Sequence, residues 1–510
     1  MHLTAAMLPR ALPLGVVGAV LLTLGSFGGG ATRNRGGLLE AAGLDFLAYG
    51  HGGGISNAVF WAGLLCLLGA WVLLGRDVIR GLRRSTDDGA RLRGVRTALW
   101  AWVVPLLLAA PMLSRDVYSY LMQGAMLRDG FDPYSQGAAI NPGPYLLEVS
   151  HDWRNTTTPY GPLHLWIGEG VTRLVGDNVT AGVLLYKLIS VAGFAAIAWA
   201  VPRIAQRLGG DPGLALWLGV ANPVMVLHMV GGMHNESVMV GLVSLGLLAG
   251  LRKRFLIGVA LIAVAVSLKA TAAIALPFVV WMATNHYAGE AAGTGRRVTA
   301  FLVTGFIGVV ETLGVVAVVT WASGSSWGWL SEITGNSKVI NPLALPTLLT
   351  DVSTPLIQVF YEDFDYNVAL AVFRSIGMVA MLVGLVVTWW LFRQNDRRAI
   401  MGITAAYQVA FVFNSVTLPW YYASVLSLVG TFRPPAWVLR VATGASLVVA
   451  LSFTGSGNHQ LYNLWWMGAA GIAAWLLTEF IFDDRAELSV QAETPAAPAT
   501  PEAPADAGER

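Results

Sequence analysis

The chain has 510 residues, of which 55% are hydrophobic and only 12% charged, and its mean hydropathy is +0.60. That balance excludes an ordinary soluble domain and identifies a polytopic membrane protein. The net charge of +2 is too small to point to nucleic acid, and the lone Cys66 excludes an internal disulfide and suggests neither a thiolate metal site nor redox chemistry.

Arg10 precedes the first apolar stretch, 11–28, but no small-residue cleavage site follows and Gly28 to Gly30 reads as a helix end, so a retained first span is expected. Further apolar segments recur at 55–75, 96–113, 180–200, 212–229, 235–251, 255–284, 298–321, 366–392, 399–413, 417–431, 437–453 and 461–482. At about 20 residues per crossing, and with 255–284 divided by Lys269, they predict an all-α protein of about 13 or 14 transmembrane helices.

Arg76, Arg80, Arg83, Arg84, Arg91, Arg93 and Arg96 crowd one short connection, which the positive-inside rule places in the cytoplasm. Arg203 with Arg207, Arg252 to Arg254, Arg296 with Arg297, Arg393 to Arg398, and Arg433 with Arg440 then fall on the same side, together with both termini. Arg33 and Arg35, after the first span, are the exceptions. The opposite, external face carries two loops longer than a connection requires, 114–179 and 323–365. The first is stiffened by Phe131-Asp-Pro-Tyr134, Asn141-Pro-Gly-Pro144 and Thr158-Pro-Tyr-Gly-Pro162, and Tyr118, Tyr120, Leu121, Ala125 and Leu127 suit an amphipathic helix at the interface. The membrane domain is expected over 1–482, and the acidic Pro/Ala-rich stretch 483–510 reads as a disordered cytoplasmic tail.

Polar residues that interrupt this pattern are the candidate site. Ser114-Arg115-Asp116 follows the apolar run that ends at Leu113, where a carboxylate meets both headgroups and water and is placed to take a proton from an acceptor hydroxyl; the plainer role is a helix cap. Arg115 suits a phosphate or a snorkelling anchor. His234, Asn235 and Glu236 follow Gly231-Gly232 at a helix start, where they can hold an anion or sugar hydroxyls, or merely cap. Lys269, alone in an apolar run, suits a lipid phosphate, or an ion pair with Glu169 or Glu311. Lys187, Glu311 and Arg374 lie in or near spans and rank lower. Pro419 breaks a helix and sets Trp420 and Tyr421 to stack on a sugar ring, unless they belong to the aromatic belt. No His/Cys/Asp/Glu set has metal-ligand spacing, and Gly50-His-Gly-Gly-Gly54 lacks the strand and Lys of a phosphate loop.

Taken in order, Ser114-Arg-Asp-Val-Tyr-Ser-Tyr-Leu-Met-Gln-Gly124, Phe131-Asp-Pro-Tyr134, Pro159-Tyr-Gly-Pro-Leu-His-Leu-Trp166, the Gly231 to Glu236 cluster, Ser267-Leu-Lys269 and Pro419-Trp-Tyr421 resemble the polyprenol-phosphomannose-dependent α-(1→6)-mannosyltransferases of mycobacterial and corynebacterial lipomannan synthesis. The resemblance runs from about Leu8 to Phe482 and is to the GT-C class of membrane glycosyltransferases. It implies inverting transfer of mannose from polyprenyl phosphomannose to the 6-hydroxyl of a mannoside or phosphatidylinositol-mannoside-type acceptor, at the external face of the plasma membrane. It further implies Asp116 as base, and Arg115, Lys269, His234 and Arg154 on the donor phosphate in place of a metal or cofactor. Tyr118, Tyr160, His164, Asn235, Glu236, Trp420 and Tyr421 are then expected on the sugar and acceptor. Relatives elsewhere in the class carry two adjacent acids in the first loop; here Arg115 precedes Asp116, and Asp129 or Asp132 is the substitute expected. A secondary transporter and a noncatalytic carrier-binding protein are the alternatives from other classes. The polar clusters gathered on one face, and the lack of a clear internal repeat, speak against a transporter.

Overall fold

Backbone groups in hydrocarbon must find partners within their own segment, and the apolar runs of this chain do so as helices. The computed structural model describes residues 8–84, 87–335 and 339–483; apart from Asp483, the expected tail lies outside them. In order the main helices are α1 (Leu8–Gly29), α2 (Gly50–Arg83), α3 (Asp88–Leu106), α4 (Asp116–Arg128), α5 (Pro162–Val175), α6 (Val179–Leu208), α7 (Pro212–Gly219), α8 (Glu236–Leu251) and α9 (Phe255–Val266). They continue as α10 (Leu276–Ala288), α11 (Thr294–Ser323), α12 (Leu345–Gln358), α13 (Tyr366–Leu391), α14 (Asp396–Phe413), α15 (Ala423–Val429), α16 (Ala436–Leu451) and α17 (Leu464–Phe482).

Among the described residues, α1, α2, α6, α11, α13 and α17 are long and apolar enough to cross a membrane, and α7 with Pro223–Gly231 makes a seventh candidate bent by 53°. The other predicted segments are helical too, but are short, broken or, in α3 and α14, charged at their first turns, so fewer full spans form than the 13 or 14 expected. α8, α9 and α16 fall below full span length. α9 stops at Val266, short of Lys269, and a 3₁₀ turn over Ala270–Ala275 leads into α10, as the cation at that position predicted. The lipid-facing set is legible from exposure: Leu302, Phe306, Leu313 and Trp321 of α11 and Val379 and Val386 of α13 are open, whereas every residue of α7 is buried.

Both long loops contain helix. Nearly all of α4 is buried against α5 and α6, so it is an inserted core helix rather than an amphipathic one with a free polar face. Its close approach to α5 depends on two glycines: a Cβ on Gly124 would overlap the Gly168 backbone. Gly161, at the start of α5, presses on the Ser267 carbonyl, and the Gly161 and Leu163 amides donate to Leu268 O (3.0 Å) and Ser267 O (2.8 Å). These bonds fix the loop 114–179 onto the break that carries Lys269.

Candidate active site

Three interruptions of helix meet at one point. The first is the start of α4, where the Ser114 hydroxyl accepts from the Asp116 amide at 3.1 Å, which leaves the Asp116 carboxylate free of capping. The second is the broken span: Asn222 accepts from Val224 N, Pro223 restarts the helix, and the chain widens to a π-turn over Val226–Gly231, closed by Gly232 N donating to Leu227 O at 2.8 Å. Met233 then takes a positive φ of 55°, unusual for a side chain that is not glycine, and this turns His234 inward. The third is the 3₁₀ turn Pro419–Tyr422, which presents Trp420 and Tyr421.

His234 Nδ1 lies 3.4 Å from Asp116 Oδ2, and the fully buried imidazole stacks on Trp420 at 3.6 Å between centroids and 17° between planes. Tyr120, one turn along α4, donates its hydroxyl to the same Asp116 oxygen at 3.4 Å. Burial pushes the Asp116 carboxyl up, but the hydrogen bonding and charge of His234, the Ser114 hydroxyl and the Lys269 charge outweigh it and hold the group below the ordinary carboxylate range.

Lys269 Nζ is ion-paired with Glu236 and sits 3.9 Å from the Tyr421 ring centroid and 5.5 Å from that of Tyr160. The ion pair expected with Glu169 or Glu311 is not formed; Glu169 binds Arg173, one turn further along α5. His164 Nε2 meets Gln123 Oε1 at 2.9 Å and its Nδ1 meets Asn235 Nδ2 at 3.3 Å, partners that suit a neutral ring with the proton on Nε2. Burial, then the Lys269 charge, push this imidazole down to about 3, against the smaller opposing pull of Asp116. Tyr160 packs on His164 at 4.5 Å and edge-on to Tyr120 at 5.6 Å.

So Asp116, Tyr160, His164, His234, Asn235, Glu236, Lys269, Trp420 and Tyr421, spread over three hundred residues of chain, form one cluster. Trp420 is buried, not part of an exposed belt, and Asn235 makes no side-chain cap. Arg115, Tyr118 and Arg154 are placed elsewhere. Arg115 donates to Thr32 O (2.7 Å) and Glu148 O (2.9 Å) and pairs with the Glu148 carboxylate at 3.2 Å, while Tyr118 donates to Ala31 O. They tie the exit of α1 to the start of α4. Arg33, out of place by the positive-inside rule, joins the same Glu148 at 3.4 Å. Arg154 donates to Val149 O at 3.2 Å within its own loop. Asp129 is bound by Arg128 and Asn141, and Asp132 accepts from Tyr134 N, so neither serves as a second acid at the cluster. The second carboxylate of the cluster is that of Glu236, paired with Lys269.

Tyr120, Gln123 and His228 are the members that sequence reasoning passed over. Tyr120 is four residues after Asp116, hence on the same helical face, and His228 is a lone polar residue in an apolar run; both spacings are visible in the sequence. Gln123 has no comparable signal. Several buried polar atoms here lack a protein partner: His228 Nδ1, His234 Nε2, Asn235 Oδ1, Glu236 Oε2 and Trp420 Nε1. These donors and acceptors leave the cluster able to bond a polar, hydroxyl-rich ligand.

The family model described as Alpha-(1->6)-mannopyranosyltransferase, N-terminal domain, matches residues 12–285, and that of the MptB C-terminal domain matches residues 346–482. The chain is 63% identical over 484 residues to Alpha-(1->6)-mannopyranosyltransferase A of Corynebacterium glutamicum, covering 93% of this chain and 99% of the relative. It is 39% identical over 485 residues to the protein of the same name from Mycobacterium tuberculosis, with 94% and 92% covered. A probable alpha-(1->6)-mannopyranosyltransferase of Mycolicibacterium smegmatis is 30% identical over 490 residues, with 89% and 84% covered.

Proposed function

Because the chain belongs to the alpha-(1->6)-mannopyranosyltransferase family and is a multi-pass membrane mannosyltransferase, we propose that it transfers mannose with inversion from polyprenyl phosphomannose to the 6-hydroxyl of a mannoside acceptor at the external face of the plasma membrane. The acceptor is a growing α-(1→6)-mannan core of lipomannan type, on a phosphatidylinositol-mannoside-type anchor. The observation that carries the reading is the Asp116 carboxylate, ionised and half-buried against His234 and Tyr120, in a cluster that also holds the Lys269–Glu236 pair and the Tyr160, Trp420 and Tyr421 rings.

In this mechanism the acceptor O6 attacks the anomeric carbon from the face opposite phosphate, the bond from C1 to the phosphate oxygen breaks, and Asp116 takes the O6 proton. The low basicity of Asp116 suits late transfer, since the hydroxyl turns strongly acidic only as the new bond forms. Polyprenyl phosphate leaves as an anion, with Lys269 and His234 as the groups that meet its charge. Lys269 has three N–H donors; Glu236 holds one, which leaves the others to meet the leaving oxygen in this reading. Tyr160, Trp420 and Tyr421 give the sugar a ring face, and Asn235 and His164 give it hydrogen bonds.

Membranes carrying the full chain, incubated with labelled polyprenyl phosphomannose and a short mannoside, test this directly. Asp116→Asn should fold and insert but lose roughly 100- to 10,000-fold in transfer, the range of a missing general base. Near-normal transfer by that variant would overturn the assignment, and label bound or moved without transfer would favour a carrier-binding or transport role.

A further inference from the structure

Lys187 lies in the middle of the bundle on α6, 2% exposed, and its hydrogen-bond acceptors are main-chain carbonyls: Val230 O at 2.9 Å and Leu106 O at 3.5 Å. No carboxylate pairs with it among the described residues. An amine buried without a carboxylate partner is costly relative to an apolar side chain, so its presence calls for a use.

The two carbonyls locate that use. Leu106 ends α3, and the chain then runs to Asp116; Val230 lies in the last turn of the π-segment, and the chain then runs to His234. A π-turn leaves carbonyls without their usual partner, and here Lys187 takes that of Val230 while Ser190, one turn along α6, takes that of Met229 at 2.5 Å. The two segments also touch each other, Met112 N donating to Gly231 O at 3.3 Å. One side chain thus spans the roots of both catalytic arms.

We infer that Lys187 is a positioning residue that sets the approach of His234 to Asp116 by clamping the two main-chain segments that carry them. The inference rests on the reaction centre proposed above. Without the amine, the π-turn relaxes toward an ordinary helical turn, Met233 leaves its left-handed conformation, and His234 swings off Asp116. The groups facing Asp116 are His234, Lys269, Tyr120, the Ser114 hydroxyl and, more remotely, Tyr160, His164 and Tyr421, with Glu236 behind Lys269. Loss of His234 from this set leaves burial less opposed, so the carboxyl titrates higher.

The test uses the full chain in membranes or nanodiscs with polyprenyl phosphomannose and a short mannoside. Lys187→Met should lower kcat by roughly 100-fold, the scale of a 1 Å misplacement, leave the donor KM within about twofold, and move the acid limb of kcat upward in pH. The same change in a His234→Ala background should add little, because the clamp acts through His234. Lys187→Gln, which keeps an N–H donor, should recover part of kcat. Wild-type kcat and acid limb in Lys187→Met, or an additive loss in the double variant, would overturn the inference; so would aggregation of both Lys187→Met and Lys187→Gln, which would make the residue a folding element. Asp116→Asn in the same assay separates the two ideas: if it is active the reaction centre is wrong, and if it is inert while Lys187→Met is normal only the clamp is wrong.

Discussion

The His234 imidazole is held between two partners of opposite kind, with Asp116 Oδ2 3.4 Å from its Nδ1 and the Trp420 ring stacked 3.6 Å from its face. The stack fixes the plane of the ring, and the plane fixes the direction in which Nδ1 meets the carboxylate. Asp116 comes from the first long loop, His234 from the end of the broken span and Trp420 from the turn after α14, so the proposed reaction centre exists only when three parts of the chain are in register.

The acid limb of transfer should lie low. Asp116 has a folded pKa below its ordinary value of 3.8, so it stays ionised, and its stabilising pairing persists, at every pH above that of the unfolded chain; both are lost only as pH falls through the folded value. Transfer by the wild type should therefore hold constant on its acid side down to about pH 5. In His234→Ala, burial is less opposed and the limb should move up. An unmoved limb in that variant would sever His234 from Asp116.

Glu236 and Lys269 are both buried, so removing one partner leaves an uncompensated charge. Glu236→Gln or Lys269→Met alone should cost about 3–5 kcal/mol. The double variant should recover much of that loss, because no lone charge remains. Thermal melts of all four proteins in one detergent measure the coupling, and strictly additive losses would mean that the pair is not formed. Lys269→Met should also raise the donor KM more than any other single change here.

Arg115→Lys separates two roles for that residue. The guanidinium fork serves Thr32 O, Glu148 O and the Glu148 carboxylate together, and an ammonium cannot copy it. From this placement the variant should melt lower, by about 1–3 kcal/mol, with an unchanged donor KM. A tenfold rise in donor KM at full stability would instead put Arg115 on the donor phosphate.

Gly124→Val should separate α4 from α5, because the added carbons have nowhere to go but into the Gly168 backbone. The expected result is a protein that still inserts through its long helices but loses transfer and becomes sensitive to protease within 114–179. Gly130→Ala, in the exposed turn after α4 where no atom lies near, should strain only a positive φ of 86° and leave the packing intact.

Much of this protein was written in local sequence. Long apolar runs can only be helices in hydrocarbon, and Lys269, Pro419 and the Gly231–Gly232 pair each marked a break because a charge, a missing N–H or paired glycines weaken a span, although α6 continues through Lys187 and Pro202. The candidate residues could be named for the same reason: polar groups amid apolar sequence are too costly to be idle.

What each of them touches was decided by tertiary structure. Asp116, the His234–Glu236 stretch, Lys269 and Trp420 lie apart in sequence, and nothing local says that Lys269 meets Glu236 rather than Glu169, or that Arg115 turns back to Glu148 while its neighbour Asp116 turns inward. Periodicity sets which face of a helix a residue occupies; only the packing of one helix on another, through contacts as close as Gly124 on Gly168, sets what that face meets.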